Sequence, residues 1–334
     1  MVFIIAEIAQ AHEGSLGILH SYIDALASTG VNAIKFQTHI AEAESSKFEP
    51  FRVKFSFEDE TRFDYWKRMS FTEEQWFAIK SHCDEVGLEF MSSPFSNAAV
   101  DLLENVGINQ YKIGSGEVTN FLLLNKICNT GKPIILSSGM SSYEELDRAV
   151  DFITSKGNQI SILQCTTAYP TPYEKLGLNV ISELKERYPN CKIGLSEHTG
   201  EIYACLAGVS LGAEILEFHV VFDKRMFGPD AKSSLEINQV SQLVKGVRSL
   251  EIAMNNPINK DNLEPFKELK DIFEKSLAVN KTLPKGHILN INDLESKKPK
   301  GYGISATDFQ DVIGKSLKNA LNKWDFLTID DINE

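Results

Sequence analysis

Between residues 3 and 220 the chain repeats one unit eight times: a short apolar run rich in β-branched residues, then a stretch with helical periodicity. The runs occupy 3–8, 33–37, 88–93, 110–114, 133–138, 160–165, 192–196 and 215–220. Each is too short for a helix. Helical spacing follows, for example over 16–28, 73–85, 143–154 and 202–211. Eight strands alternating with eight helices predict a closed parallel (β/α)₈ barrel of the TIM type. A doubly wound open sheet is the rival, but it gives no reason for a second pattern in the same runs.

That second pattern lies at the strand ends. Nearly every run terminates in a polar residue suited to binding or catalysis: Glu7, Lys35 with Gln37, Ser93, Lys112 with Ser115, Ser137, Thr166 with Tyr169, Ser196 with His198, and His219. In such a barrel the active site sits at the C-terminal ends of the strands, so these side chains are expected to converge. Strand alternation puts Lys35 and Gln37 on one face, and likewise Glu217 and His219.

The formal net charge of −12 over 334 residues argues against a broad basic surface for nucleic acid and offers nothing to an anionic membrane. An anionic substrate remains compatible, because a few lysines in a cleft create a local positive field. The five cysteines are odd in number, widely spaced and mostly within apolar runs, which reads as reduced core thiols in a cytoplasmic protein. No stretch reaches the ~18 uncharged apolar residues of a membrane span, and the opening Val2-Phe-Ile-Ile5 reads as a core strand and not a signal peptide.

Two segments depart from the repeat. Residues 38–70 form a long excursion dense in aromatics and charges, expected to be an ordered flap or lid over the site. A break at 255–260 closes a catalytic domain over 1–258. A linker over 259–275 with a polar helical connector follows, and 276–334 change to short strands and turns, a small second domain.

His198 and His219 end neighbouring strands, so both imidazoles can reach one ion. Two histidines completed by substrate and water oxygens suit Mn²⁺ or another divalent metal such as Mg²⁺ or Co²⁺. The alternative is a pair of hydrogen-bonded core histidines. Lys35 and Lys112 stand in otherwise apolar strands, and burying two ammonium groups unpaired would be costly. Either Glu7 or Glu117 pairs with them, or a multiply charged anion does. Gly114-Ser-Gly116, Ser93, Ser137 and Ser196 add the donors that a phosphate site needs. Glu7, Glu117 and Glu217 are then candidates for proton transfer or for binding sugar hydroxyls, with ion pairing to the lysines as the alternative.

The segments Ala6-Glu-Ile8 to His12-Glu-Gly-Ser15, Lys35-Phe-Gln-Thr38, Tyr111-Lys-Ile-Gly-Ser-Gly-Glu117, Lys132-Pro-Ile-Ile-Leu-Ser-Ser-Gly-Met140, Cys165-Thr-Thr-Ala-Tyr-Pro-Thr-Pro172, Gly194-Leu-Ser-Glu-His-Thr199 and Phe227-Gly-Pro-Asp230 together resemble the sialic acid synthase family. The tail, with Leu283-Pro-Lys-Gly286, Asn292-Asp-Leu294 and Lys298-Pro299, looks like that family's C-terminal antifreeze-like (SAF) domain. The resemblance implies the barrel plus this domain, in a domain-swapped homodimer. It implies His198 and His219 as metal ligands, and Lys35, Lys112, Ser93, Ser115, Ser137 and Ser196 as a phosphoenolpyruvate pocket. Glu7, Tyr169 and Asp230 become sugar contacts, with Gln37 and Glu117 near the metal and its water. Thr167 stands where family members can carry Asn, and Lys298 where the tail usually presents Arg; both positions are expected near the sugar's N-acyl group.

The implied reaction is a transferase condensation of phosphoenolpyruvate with N-acetylmannosamine or a 2,4-diacetamido-6-deoxymannose, releasing phosphate by C–O cleavage. The products are N-acetylneuraminate or N,N′-diacetyllegionaminate. Pseudaminic acid synthesis and the condensations that use phosphorylated aldoses are enzymatic alternatives. A phosphorylated acceptor needs a second basic cluster, for which Arg62, Lys67 and Arg68 are the candidates. A non-catalytic carbohydrate- or ice-binding protein is the alternative of another class.

Overall fold

The computed structural model describes residues 1–53 and 55–333; Lys54, inside the expected flap, and Glu334, at the end of the expected small domain, lie outside the described residues. The chain divides into two compact units, Met1–Asn256 and Pro257–Glu334.

The first unit is a closed barrel. Its strands are β1 (Phe3–Glu7), β2 (Ala33–Thr38), β3 (Glu89–Pro94), β4 (Tyr111–Ile113), β5 (Ile134–Ser137), β6 (Ile160–Cys165), β7 (Lys192–Glu197) and β8 (Ile215–Val221). They pair in sequence order, all parallel, and β8 returns to β1. Most of the helices through α7 begin where a side chain can accept the free N–H groups of the first turn. Ser15 caps α1 (Leu16–Ala27), and capping boxes open α3 (Arg62–Met69) and α4 (Glu73–Glu85) after the single-turn α2 (Ala41–Glu44). Ser96 and Asn120 cap α5 (Asn97–Val106) and α6 (Phe121–Cys128), and Ser142 begins α7 (Tyr143–Ser155). The ring is completed by α8 (Asn179–Arg187), α9 (Tyr203–Ser210) and α10 (Ile237–Met254). A short strand missing from the sequence reading, β9 (Ser234–Glu236), pairs with the outer end of β8.

The barrel interior is built in layers, because alternate residues of every strand point inward. Ile5, Ala33, Met91, Ile135, Leu163 and Ile215 form a buried apolar layer. Gly194 completes it from β7, where a Cβ would stand 2.3 Å from the Ile215 carbonyl oxygen. Two residues further along each strand the interior turns polar. Glu7, Lys35, Ser93, Lys112, Ser137, Cys165, Ser196 and Glu217 supply one buried side chain per strand. The apolar floor therefore carries a polar layer that opens toward the strand ends.

The expected flap over residues 38–70 holds α2 and α3 and has its own core, in which Ala41, Tyr65, Trp66 and Met69 are buried with Phe51, Phe55 and Phe63 packed against them.

The second unit has a separate core of Leu277, Val279, Leu283, Leu289, Val312, Leu317, Leu321, Leu327 and Ile332. It carries the antiparallel pair β10 (Ser276–Val279) and β11 (Leu294–Lys297). The expected connector helix is shorter than its polar pattern suggested: a 3₁₀ turn at Glu264–Phe266 precedes α11 (Lys267–Phe273). Among the described residues no helix is long and apolar enough to cross a membrane.

Candidate active site at the barrel mouth

The polar layer opens into an inner chamber of about 170 Å³ at the C-terminal ends of the strands. Glu7, Lys35, Gln37, Ser93, Lys112, Ser115, Ser137, Thr167, Tyr169, Ser196, His198, Glu217 and His219 all line it. Asp230 lines an adjoining outer chamber of about 200 Å³, which shares Gln37, Thr167, Tyr169 and His219 with the inner one and is roofed by flap residues. Glu117 lies in a half-buried 3₁₀ turn, Ser115–Glu117, beside a third cavity with Gln37, His39 and Glu44. Lys298 belongs to the second unit, where its ammonium stands 4.5 Å from the centre of the Phe273 ring.

The two lysines are balanced internally. Lys35 Nζ is 2.9 Å from Glu7 and 3.4 Å from Glu217, and Lys112 Nζ is 3.0 Å from Glu217. The partners are thus Glu7 and Glu217; the expected pairing through Glu117 does not occur, and Glu117 instead accepts a hydrogen bond from Asn120 at 2.7 Å. All four groups of the quartet are about 2% exposed. Burial pushes the Glu7 carboxyl up, but Lys35, His219 and Lys112 hold it well below the usual range. Glu217 is likewise held low, by both lysines against burial. Lys35, between two carboxylates, is raised against its burial; Lys112, with one carboxylate and Lys35 beside it, is lowered by burial. One carboxylate oxygen, Glu217 Oε2, has no partner among the described residues.

Two of the serines keep a donor for a ligand, while Ser196 gives its proton to Glu217 at 3.1 Å. Lys112 donates to Ser137 Oγ at 2.8 Å and Lys35 to Ser93 Oγ at 3.4 Å. Each hydroxyl that accepts from a lysine keeps its own O–H free to donate. Ser115 stands against a tight wall, because a Cβ on Gly139 would come within 2.6 Å of Ser115 Oγ and 2.5 Å of Thr167 Oγ1. The result is a small cradle of two ammonium groups and several hydroxyl donors, the chemistry an oxyanion needs.

His198 and His219 stand with ring centres 5.2 Å apart, and Tyr169 lies 4.3 Å from His198. His198 Nδ1 is 3.2 Å from the Thr166 carbonyl oxygen. A carbonyl only accepts, so Nδ1 carries a proton; burial pushes the His198 imidazole down, but hydrogen bonding to Cys165 raises it, so Nε2 ligates a cation only once its own proton has left. His219 Nε2 is 3.4 Å from Glu7. Burial lowers the His219 imidazole and favours its neutral, ligating form. Among the described residues no three His, Cys, Asp or Glu side chains converge as a ligand set. The pair therefore fits a divalent cation whose other positions come from substrate and water.

Several contributors were missed in the sequence. Cys165, read as a core thiol, occupies the β6 position of the polar layer; Thr166 instead turns its hydroxyl to the Lys175 carbonyl. Burial pushes the Cys165 thiol up, but hydrogen bonding to His198 and Ser115 brings it below its ordinary range. Arg52 from the flap lies 4.1 Å over the Tyr169 ring and donates to Asp230 at 2.6 Å. Gln10 and Tyr65 line the outer chamber. The proposed second basic cluster is neutralised, since Arg62 pairs with Glu49, Lys67 with Glu42, and Arg68 with Asp59 and Glu13.

Comparison with known proteins gives consistent matches. The model described as the NeuB family matches residues 22–259, and the SAF domain matches 274–333. The N,N′-diacetyllegionaminic acid synthase of Campylobacter jejuni is 34% identical over 93% of this chain and 94% of its own length. The human N-acetylneuraminate-9-phosphate synthase is 32% identical over 94% of this chain and 88% of its own. Among solved structures, the N-acetylneuraminic acid (sialic acid) synthetase of Leptospira borgpetersenii, crystallised with citrate, aligns at a TM-score of 0.71. That protein is 28% identical, with 80% of this chain and 90% of the other covered.

Proposed function

The chain belongs to the NeuB family, and from that premise we propose that it is a nonulosonic acid synthase joining phosphoenolpyruvate to an N-acylated mannose-type sugar. The observation that carries the reading is the inner chamber, where Lys35, Lys112, Ser93, Ser115 and Ser137 face His198 and His219 across about 170 Å³. One side of that chamber suits a phosphate and a carboxylate. The other suits a cation and a polar acceptor.

In the reaction, C3 of phosphoenolpyruvate bonds to the aldehyde carbon of the open-chain sugar, whose oxygen takes up a proton. Water adds at C2, and the C2–O bond to phosphate breaks, so phosphate leaves with its bridging oxygen. Lys112, with Lys35 beside it, holds the anionic groups and stabilises charge that develops on them. Ser93, Ser115 and Ser137 donate hydrogen bonds, and Glu217, which accepts the Ser196 proton, keeps the two ammonium groups oriented. Glu7, ionised and fixed by Gln37, binds a sugar hydroxyl in the inner chamber. Tyr169, Asp230 and Thr167 line the acceptor side, and Glu117 is assigned to ordering water beside Gln37. His198 and His219 are the residues that hold a divalent cation, Mn²⁺ first, and the cation supplies Lewis-acid polarisation of the acceptor's carbonyl. Lys298 is assigned to the acceptor's acyl group.

The neutralised arginines of the flap favour an acceptor without a terminal phosphate, N-acetylmannosamine or a 2,4-diacetamido-6-deoxymannose. A domain-swapped homodimer belongs to the same reading, supported by the exposed apolar residues Leu263, Phe266, Leu269, Ile272 and Phe273 around α11. A cytoplasmic location is supported by five unpaired thiols. Incubation with phosphoenolpyruvate labelled with ¹⁸O at the bridging position, either sugar and Mn²⁺ tests the proposal. Labelled phosphate is expected, dependent on both sugar and metal; no phosphate release with any acylated mannose-type sugar would sink it.

A further inference from the structure

Two buried polar atoms around the outer chamber have no hydrogen-bond partner among the described residues: the Tyr65 hydroxyl and Gln10 Oε1. Tyr65 is 1% exposed and Gln10 4%. Leaving a buried polar group unpaired is costly, so each calls for a ligand.

Their hydrogen-bonding sense is fixed by the groups behind them. A carboxylate only accepts, so Glu7 Oε1 takes an N–H of Gln37 at 2.7 Å. That turns Gln37 Oε1 into an acceptor, and Gln10 gives its NH₂ to it at 2.8 Å. Gln10 Oε1 is thereby left to accept from something else. Tyr65 keeps its proton, because burial first, then the charges of Glu13 and Asp230, push the phenol far above its ordinary range. One open acceptor and one hydroxyl donor match the N–H and C=O of a secondary amide. Beside them Phe51, Val53 and Phe55 give the chamber an apolar wall, which suits an acyl methyl; the arginines that also line it, Arg52 and Arg62, already pair with Asp230 and Glu49.

We infer that Tyr65 and Gln10 read an acylamino group of the acceptor: the Tyr65 hydroxyl donates to the amide carbonyl, Gln10 Oε1 accepts the amide N–H, and the acyl group lies against Phe51, Val53 and Phe55. The inference rests on the proposed condensation and deepens it. Tyr65 stands on α3 of the flap and Gln10 just beyond β1. The amide is therefore gripped between the barrel and its cover, and the flap takes part in choosing the acceptor.

The test compares the full-length wild type, Tyr65→Phe and Gln10→Leu, with phosphate release from phosphoenolpyruvate as the readout. The acceptors are N-acetylmannosamine, 2,4-diacetamido-2,4,6-trideoxymannose, and mannose as the sugar without an amide. Each substitution is expected to raise the KM of the acylated sugar about tenfold or more, leave the KM of phosphoenolpyruvate within about twofold, and shrink the preference over mannose by a similar factor. Circular dichroism checks folding, and if one variant does not fold, the other reads the opposite side of the same amide. A wild type that uses an acylated sugar, with folded variants that keep its KM and its preference over mannose, overturns this inference alone. A wild type that releases no phosphate with any acylated sugar removes the condensation reading and this inference with it.

Discussion

Gln37 Nε2 donates to Glu7 Oε1 at 2.7 Å, so the buried carboxylate of the first strand takes its orientation from the second. Gln37 Oε1 in turn receives Gln10 at 2.8 Å and His39 Nε2 at 3.2 Å. His39 is held flat between the rings of Trp66, at 3.8 Å, and Phe95, at 4.5 Å, with Glu44 on its other nitrogen. A continuous line of contacts thus runs from the flap helices to the carboxylate.

The first prediction follows from that line. Gln37→Leu keeps the volume and removes both amide functions, freeing Glu7 to turn toward Lys35 alone. Small losses of alignment are costly in a preorganised site. The expected result is a fall in kcat of about tenfold or more with the KM of phosphoenolpyruvate within about threefold. Steady-state kinetics decide it, and an unchanged kcat contradicts the positioning role.

The second concerns the quartet of Glu7, Glu217, Lys35 and Lys112. Removing one member of a buried ion pair leaves its partner's charge uncompensated, at ~3–5 kcal/mol. Lys112→Met is therefore expected to lower the melting temperature by several degrees, since Glu217 keeps only Lys35 at 3.4 Å and the Ser196 hydroxyl at 3.1 Å. Adding Glu217→Gln removes the orphaned charge and should restore most of that stability while turnover stays lost. Equal melting temperatures for Lys112→Met and wild type would show that the quartet contributes little.

Lys35 and Lys112 made this layer legible in the sequence. A lysine in an otherwise apolar strand needs a partner, and the strand period fixed which neighbours shared its face. Of the two partners offered, Glu7 does pair with Lys35 at 2.9 Å, but the partner of Lys112 was not legible. Glu117 is five residues from Lys112 and does not reach it, whereas Glu217 is on β8 and does. Strand order around a closed barrel is a property of the whole sheet, and no local spacing reports it. Cys165 was passed over because a thiol in an apolar run looks like core packing. Gln10 and His39 lie in connections, where neither period applies, and Tyr65 stands on the short flap helix α3; their roles arise from contacts over long sequence distances. The aromatic density of 38–70 did reveal a packed flap, but not which of its side chains face the chamber.

The third prediction tests the cradle around Ser115. Gly139 follows β5, and a methyl group there would meet Thr167 Oγ1 and Ser115 Oγ at 2.5 and 2.6 Å. Both are closer than real Cβ contacts, so one hydroxyl must move. Gly139→Ala should raise the KM of phosphoenolpyruvate by about tenfold while the protein remains folded. Calorimetric titration with phosphoenolpyruvate checks it, and wild-type affinity would mean that Ser115 is not part of the phosphoenolpyruvate site.

The fourth is a pH dependence of stability set by His12. This residue is 2% exposed, packs against Phe71, and uses Nδ1 to accept from the Gly14 backbone N–H at 3.0 Å. Accepting at Nδ1 requires the neutral ring. Burial first, then the nearby His39 and Arg68, push its pKa down from 6.5 to about 3. Between those values the unfolded chain binds a proton that the folded chain does not. Stability from His12 is therefore complete above about 6.5 and is lost as pH falls toward 3, by at most ~1.4 kcal/mol per unit. Carboxyls held low, such as Glu7 and Asp59, add a loss of the same sign only below their ordinary range near 4.5 and 3.8. Between pH 4.5 and 6.5 the histidines therefore titrate without those carboxyls, while Glu13, Glu117 and Glu197, raised by burial, act in the opposite sense. Buried His219 and the more exposed His20 are lowered and act in the same direction, while His198 is raised and acts against them. His12→Asn keeps an acceptor near the Gly14 N–H and cannot titrate, so the other histidines cancel in the comparison. Urea unfolding across this window should show a steeper fall in midpoint for wild type than for His12→Asn. Parallel curves would mean that the imidazole is already reached by water in the folded chain.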